Sequence, residues 1–536
     1  MAISVNEIRQ AAAILKEYKI GKANLEKRII ENEQWFKMRH WQQYKRDDGG
    51  KLPSSGWLFN AILNKHADAM DNYPEPSILP REESDSETAK LLSQIVPAIL
   101  ENNNYEQVYS DTWWYKLKHG TGVKGIFWDS ASDDIAIRKI DLLNLFWEPG
   151  ITDFQQSGNL FNVELVNNSA LERMYPGIDL RHAAGNIDVS KYIYDESIDT
   201  SKKSAVIDWY YKKANSLGKT VLHYCKFCGD NLLFSSENDE RYSESGYYNH
   251  ALYPFVADVM FQEEGMPVGF GLIDAMKDTQ ESIDELDSNL QFNARLLAKP
   301  RFLAKSGSGV NLTELADYTR DFVEVPGDPT TAVYQLPVNR LDESVVNFRN
   351  MKIQELKEIS GNRDFNQGSS VSGVTAASAI SMLQEAGSKL SRDLIKSAYR
   401  SFCVECRLIV ELIRQFYDET RVFRITAPNG GFNFVSFDNS SMQPVGAGEF
   451  MGIEFGSRVP VFDIKISAQK QSPFNQISHN QFVLELFEKG FFNPELSEQA
   501  AAAVNLMEFE GKEKILGFYE SLKPEVQGSK EENDIY

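Results

Sequence analysis

The sequence predicts an α+β protein: a mixed α/β body, a long helical hairpin with a small β-rich tip, a long kinked helix and a helical C-terminal end. Three observations carry this expectation. Apolar residues recur at helical spacing over the first 119 residues and again after residue 270. Between about 120 and 260 the texture changes to short runs rich in β-branched and aromatic residues, separated by turn residues. The chain has 536 residues, more than one core normally uses, so two to four packed units are expected.

Residues 4–20 and 24–44 read as two helical stretches, with Ile29, Ile30, Trp35 and Trp41 on the apolar phase. The segment RDDGGKLPSSG (46–56) interrupts them, and helices follow over 57–72, 84–102 and 105–119. Tyr73-Pro74-Glu75-Pro76 reads as punctuation after the first of these. The runs VKGIFWD (123–129), IAIRKI (135–140), AVIDWYYKK (205–213) and TVLHYCKF (220–227) read as strands, and 187–203 and 235–249 as loops.

Past residue 270, Met276, Ile283, Leu290 and Leu297 recur every seven residues, with Ile273 and Leu286 between them. That is the stripe of a long helix packed on other helices, and Lys299-Pro300 ends it. A Gly- and Pro-rich interruption follows, with β-like pieces DFVEV and TAVYQL, before a second helix over about 341–360. Its apolar face carries Leu341, Val345, Phe348, Leu356 and Ile359. A polar loop, GNRDFNQGSSVSG (361–373), leads into an apolar-periodic run from Val374 to Glu419, with a kink expected at Gly387. Strands are expected over 421–470, and helices over 474–489, 495–507 and 509–522.

Composition narrows the function. Charged residues are 25% of the chain, which excludes wholesale disorder, but the net charge is −21. A protein that grips nucleic acid by neutralising phosphates is normally basic, so any nucleic-acid role here is local or weak. No apolar run reaches the roughly 18 residues that span a bilayer, and MAISVNEIRQ lacks the blocks of a signal peptide. A soluble protein made in a cytoplasm is expected. Four cysteines do not make a disulfide framework.

The motifs that suggest chemistry have plainer explanations. Gly120, Gly122 and Gly125 match G-x-G-x-x-G, but the order is helix then strand, so a tight turn with positive-φ glycines is expected. Gly218-Lys219-Thr220 reads as a hairpin turn, because Lys213 occupies the position of the first phosphate-loop glycine and a strand follows. Cys225 and Cys228, with Cys403 and Cys406, have zinc-like spacing. Free thiols are the preferred reading, and zinc at Cys225 and Cys228 is the alternative. No H-E-x-x-H, no G-x-S-x-G and no recognisable triad is present, so no cofactor and no catalytic residues are assigned.

The first hairpin helix is polarised. Asp274, Asp278, Glu281, Asp284, Glu285 and Asp287 face one base, Lys277, over 269–287, while 288–305 carries Arg295, Lys299, Arg301 and Lys305 and no acid. Helix-dipole complementation accounts for part of this. Pairing between subunits, or a basic ring facing DNA, accounts for the rest.

Five stretches, in order, resemble the portal proteins of tailed bacteriophages: residues 57–89, WWYKLKHGTGVKGIFWD (113–129), 253–286, SGVTAASAISMLQEAGSKLSRD (372–393) and SPFNQISHNQFVLELFEKGFFNP (472–494). The resemblance implies the portal fold: a wing (1–268 and 421–471), a stem (269–305 and 340–360), a clip (306–339), a tunnel loop (361–373), a long kinked helix (374–420) and a crown with its tail (472–536). It also implies a ring, usually of twelve copies, at one capsid vertex. Double-stranded DNA would pass through that ring, the packaging terminase and later the head–tail connector would dock on it, and capsid and scaffolding proteins would surround it. On this basis Arg363, Asp364, Asn366 and Gln367 are expected to face the channel. Rival readings are another oligomeric head or tail protein, or a soluble zinc-binding enzyme.

Overall fold

The computed structural model describes residues 3–43, 52–180, 189–192, 200–298, 301–317, 319–325, 327–337, 342–361, 389–426, 432–446, 449–450, 453–454, 457–470, 485–491, 497–506 and 515. The chain divides into two compact units, Met1–Met70 with Pro74–Ser467 and, separately, Asp71–Tyr73 with Ala468–Tyr536.

In the larger unit the two helical stretches expected at the N-terminus form one helix, Val5–Phe36. Its start is fixed by a capping box, in which Glu7 accepts from the Ser4 backbone N–H. Ile8, Ala11, Leu15 and Tyr18 share one face and pack on Phe146, Phe161, Trp209, Tyr211 and Phe227 of a five-stranded antiparallel sheet. That sheet runs in the order Leu145–Trp147, Asn159–Asn167, Lys203–Ala214, Thr220–Cys228, Asn231–Ser235, so its central members are neighbours in sequence. The turn between the third and fourth strands carries Gly218 at φ +75°, as the hairpin reading requires.

Trp57–Met70, Ser86–Asn102 and Tyr105–His119 follow the predicted helical spans closely. Tyr73-Pro74-Glu75-Pro76 is not a loop. It lies in the strand Asn72–Pro80, which among the described residues pairs only with Phe462–Lys470, and two prolines are tolerated on a strand with one such partner.

The expectation for the three glycines is corrected in part. Only Gly120 has positive φ (+88°), capping the helix Tyr105–His119. Gly122 and Gly125 are ordinary residues of the strand Thr121–Asp129, and what excludes a side chain there is space. A Cβ on Gly122 would lie 2.4 Å from Thr112 Cγ2, and one on Gly125 would lie 2.3 Å from the Phe127 ring. Gly122 therefore lets the helix before the strand lie close over it, whereas Gly125 leaves room for the Phe127 ring of its own strand and for Ile140 of the next.

That strand is the centre of a second sheet, between Asp134–Ile140 and Phe255–Val259. The long helix Lys389–Phe416 packs on this sheet through a fully buried row that includes Phe402, Cys406, Ile409 and Ile413. The expected kink at Gly387 lies outside the described residues. Toward the C-terminal side, Arg421–Thr426 and Phe432–Phe437 form a hairpin, as the strand texture predicts. In the smaller unit the helix Ser497–Leu506 buries Val504 and Ala500 against Phe491 and Ile515.

Candidate functional surface: the helical hairpin and its tip

The helix Leu272–Ala298 is preceded by Gly271, whose N–H donates to Asp274 at 3.0 Å, an acid placed where the helix N-terminus favours it. Its predicted heptad stripe is buried only in its first half. Ile273, Met276 and Ile283 are enclosed, whereas Leu297 is 44% exposed. The second helix, Glu343–Ser360, returns beside it and buries Ile353 and Leu356. Of its predicted apolar face, Phe348 and Ile359 are exposed and Leu341 lies outside the described residues. The helix Leu272–Ala298 packs on Val5–Phe36, Trp57–Met70 and Tyr105–His119 of the body and on its partner helix Glu343–Ser360, and its buried apolar residues lie in its first half.

Asp284 is the acid that fixes the hairpin to the body. It is fully buried, and one carboxylate oxygen accepts from Ser55 N–H (2.9 Å), Ser55 Oγ (2.8 Å) and Gln280 Nε2 (2.9 Å). The other oxygen accepts from Trp41 Nε1 at 3.2 Å and lies 3.0 Å from His40 Nε2. His40 in turn stacks on Trp35 at 3.7 Å. A buried carboxylate satisfied this fully holds three separated segments in register. Asp287 makes a two-pronged pair with Arg349 of the second helix. Half of the acidic run is therefore used within the chain, which replaces the inter-subunit explanation for Asp274, Asp284 and Asp287. In sequence, the only signal was the spacing of Gln280 and Asp284 four residues apart on a buried phase.

The four basic positions separate. Arg295 is exposed on the first helix, and Lys299 lies outside the described residues. Arg301 and Lys305 are not on the helix at all, because it ends at Ala298. They flank a short strand, Phe302–Ala304, that pairs with Val333–Gln335, and their backbones extend the pairing through Leu336 N to Arg301 O (2.7 Å) and Lys305 N to Ala332 O (3.0 Å). Of the two β-like pieces expected in the tip, TAVYQL contributes Val333–Gln335, whereas residues 321–325 contain no strand. The tip also holds Leu312–Leu315 and Pro329–Ala332, each capped by an Asn311 or Asp328 side chain. Phe302, Leu303, Leu312, Phe322 and Tyr334 are exposed there, Phe322 at 88%. Arg363, Asp364, Asn366 and Gln367 lie outside the described residues.

Cys225 and Cys228 are free and buried, in line with the preferred reading and against the zinc alternative. Cys225 and Cys228 both sit on the strand Thr220–Cys228, where side chains alternate faces, so residues three apart point to opposite sides. Cys225 packs with the N-terminal helix on one side, Cys228 with Leu171 and Val206 on the other. They cannot meet on one ion, and among the described residues no group of three His, Cys, Asp or Glu is arranged to hold a metal. Burial pushes the Cys225 thiol up to about 12 and the Cys228 thiol up to about 11. Neither should react with a thiol reagent until the protein is unfolded. Rapid labelling of both in native protein would refute the packing.

Lys22 is a strongly perturbed base. Its Nζ is buried, donates to Leu142 O and to Leu145 O (2.7 Å), and lies 4.0 Å from the centre of the Phe146 ring. Burial pushes it down to about 7, against the pull of Glu26 and Asp141. Between pH 7 and 10.5 the unfolded chain therefore holds a proton at this position that the folded chain does not, so this group makes stability rise with pH. The wild type should gain on a Lys22→Met variant by at most about 1.4 kcal/mol per pH unit over that window. Parallel pH profiles in urea unfolding would show that Lys22 is not the source.

No helix among the described residues is long and apolar enough to cross a membrane. No curated protein matches the chain. The family model for the phage P22-like portal protein matches residues 62–534, which include both hairpin helices, the tip and both sheets. An α+β body bearing a helical hairpin, matched over nearly its whole length by that model, belongs to the phage P22-like portal protein family, a family of structural virion components.

Proposed function

We propose that the chain closes into a ring, of twelve copies by the resemblance, at one vertex of the phage capsid, and that double-stranded DNA enters and leaves the head through it. The hairpin is the stem that lines neighbouring subunits against each other. Its β tip is the clip, where the packaging terminase docks and later the head–tail connector. The loop 361–373, with Arg363, Asp364, Asn366 and Gln367, faces the channel, and the major capsid and scaffolding proteins hold the ring from outside. The protein is made in the host cytoplasm and ends in the virion.

One observation carries this reading beyond family membership. Leu297, Val346, Phe348 and Met351 stand exposed on the two hairpin helices, so the described residues of a single chain leave this surface in water. A repeating side-by-side contact would cover it. The net charge of −21 per chain favours passage of DNA over capture, since a basic wall would bind phosphates tightly.

The test is electron microscopy of the purified protein, alone and after co-expression with a scaffolding protein, with native mass spectrometry for copy number. The expected result is a ring of about 730 kDa, twelve copies of a 60.8 kDa chain, around a channel about 20 Å or more wide. A monodisperse monomer under both conditions would overturn it.

A further inference from the structure

Outside the hairpin, a cleft of about 230 Å³ opens between the long helix Lys389–Phe416 and the strand Phe462–Lys470. Three guanidinium groups line it, from Arg81, Arg407 and Arg414, over a floor of Val410, Phe462 and Ile464. Two of them are already engaged by single acids. Arg81 pairs with Asp463 at 2.8 Å, and Arg414 holds both oxygens of Glu411 through one nitrogen at 2.8 Å while donating to Pro460 O at 2.7 Å. Two observations point past this arrangement. Arg407 is exposed and donates no hydrogen bond among the described residues, and its charge acts on Asp463 only at longer range. The Nε of Arg414 is buried and also lacks an acceptor among them. A buried N–H without an acceptor is destabilising.

We propose that this cleft binds a phosphate-class oxyanion. The three guanidiniums against Asp463 and Glu411 leave one uncompensated positive charge in a protein whose overall balance is −21. Guanidinium forks suit oxyanions by geometry. A tetrahedral phosphate has more acceptor oxygens than a planar carboxylate and so can serve more guanidinium donors at once. The source of the phosphate is either the free ion or the backbone of nucleic acid, and the chemistry recognised is the same. This inference does not depend on ring formation.

The experiment is calorimetric titration of inorganic phosphate into the full-length protein at fixed ionic strength, beside Arg407→Gln and Arg81→Gln. Arg407 is exposed and donates no hydrogen bond among the described residues, so its variant should fold as the wild type does, which circular dichroism and thermal unfolding would check. The expected result is saturable binding of one phosphate per chain, weakened at least tenfold in Arg407→Gln. Competition by a short duplex DNA would assign the site to backbone phosphate, and no competition would assign it to the free ion. Either outcome supports the site. No saturable binding by the wild type, or equal affinity in Arg407→Gln, overturns it.

Discussion

Replacing Lys124 by Met should lower the unfolding free energy of the larger unit by about 3–5 kcal/mol, the usual cost of leaving one member of a buried ion pair alone. Lys124 Nζ lies 2.6 Å from Glu405 and 2.8 Å from the Tyr105 hydroxyl, which itself donates to the other Glu405 oxygen at 2.6 Å. All three groups are buried. Burial already holds the Glu405 carboxyl above its usual range, and Lys124 is the charge that opposes this. Without Lys124 the carboxyl must take up a proton or stay ionised with no counter-charge. The pair joins the strand Thr121–Asp129 to the long helix Lys389–Phe416, 281 positions apart in sequence, and so ties the second sheet to the helix above it. The double variant Lys124→Met, Glu405→Met should recover most of the loss, because apolar groups replace both ions, though the Tyr105 hydroxyl would keep a deficit of about 1 kcal/mol. Urea unfolding of the three variants decides it. A single-variant cost under about 1 kcal/mol would mean that water or a neighbouring base serves Glu405.

Met351→Glu should abolish ring assembly while leaving the subunit folded. Met351 is 66% exposed on the second hairpin helix, and Phe348 lies one turn away at 48%. A carboxylate on this surface costs the isolated chain little. Buried in every subunit contact of a closed ring, it would require desolvation once per interface, several kcal/mol each without a partner cation. The yield of rings seen by native mass spectrometry should fall at least tenfold, with thermal unfolding of the monomer unchanged. Rings in wild-type yield would place the subunit contact elsewhere and leave the exposed hairpin residues unexplained.

Comparison of the two hairpin halves shows where sequence reading stops. The seven-residue repeat of Met276, Ile283, Leu290 and Leu297 identifies a packed helix, and the helix is there. Periodicity reports that a face is apolar and says nothing about what covers it. Only the tertiary structure separates Ile283, enclosed by the body, from Leu297, left open beyond it. The same limit explains Asp284, which composition counts as one of six acids and the fold turns into an anchor for Ser55, Trp41 and Gln280.

The sequence by itself determined the α+β class, the strands around residues 121–140 and 203–228, the helical hairpin and, through five co-linear stretches, the family that the model match establishes. These follow from local terms: periods of 2 and 3.6, turn residues and breakers, each read within a dozen positions. The tertiary structure alone decided that the two N-terminal stretches are one helix, that Cys225 and Cys228 face apart, and that Arg301 and Lys305 leave the helix for the tip. It also decided that Lys124 meets Glu405 and Lys116 meets Asp258 in the core. Those outcomes rest on contacts between residues far apart in the chain, whose energies depend on burial and partner geometry that no local pattern encodes.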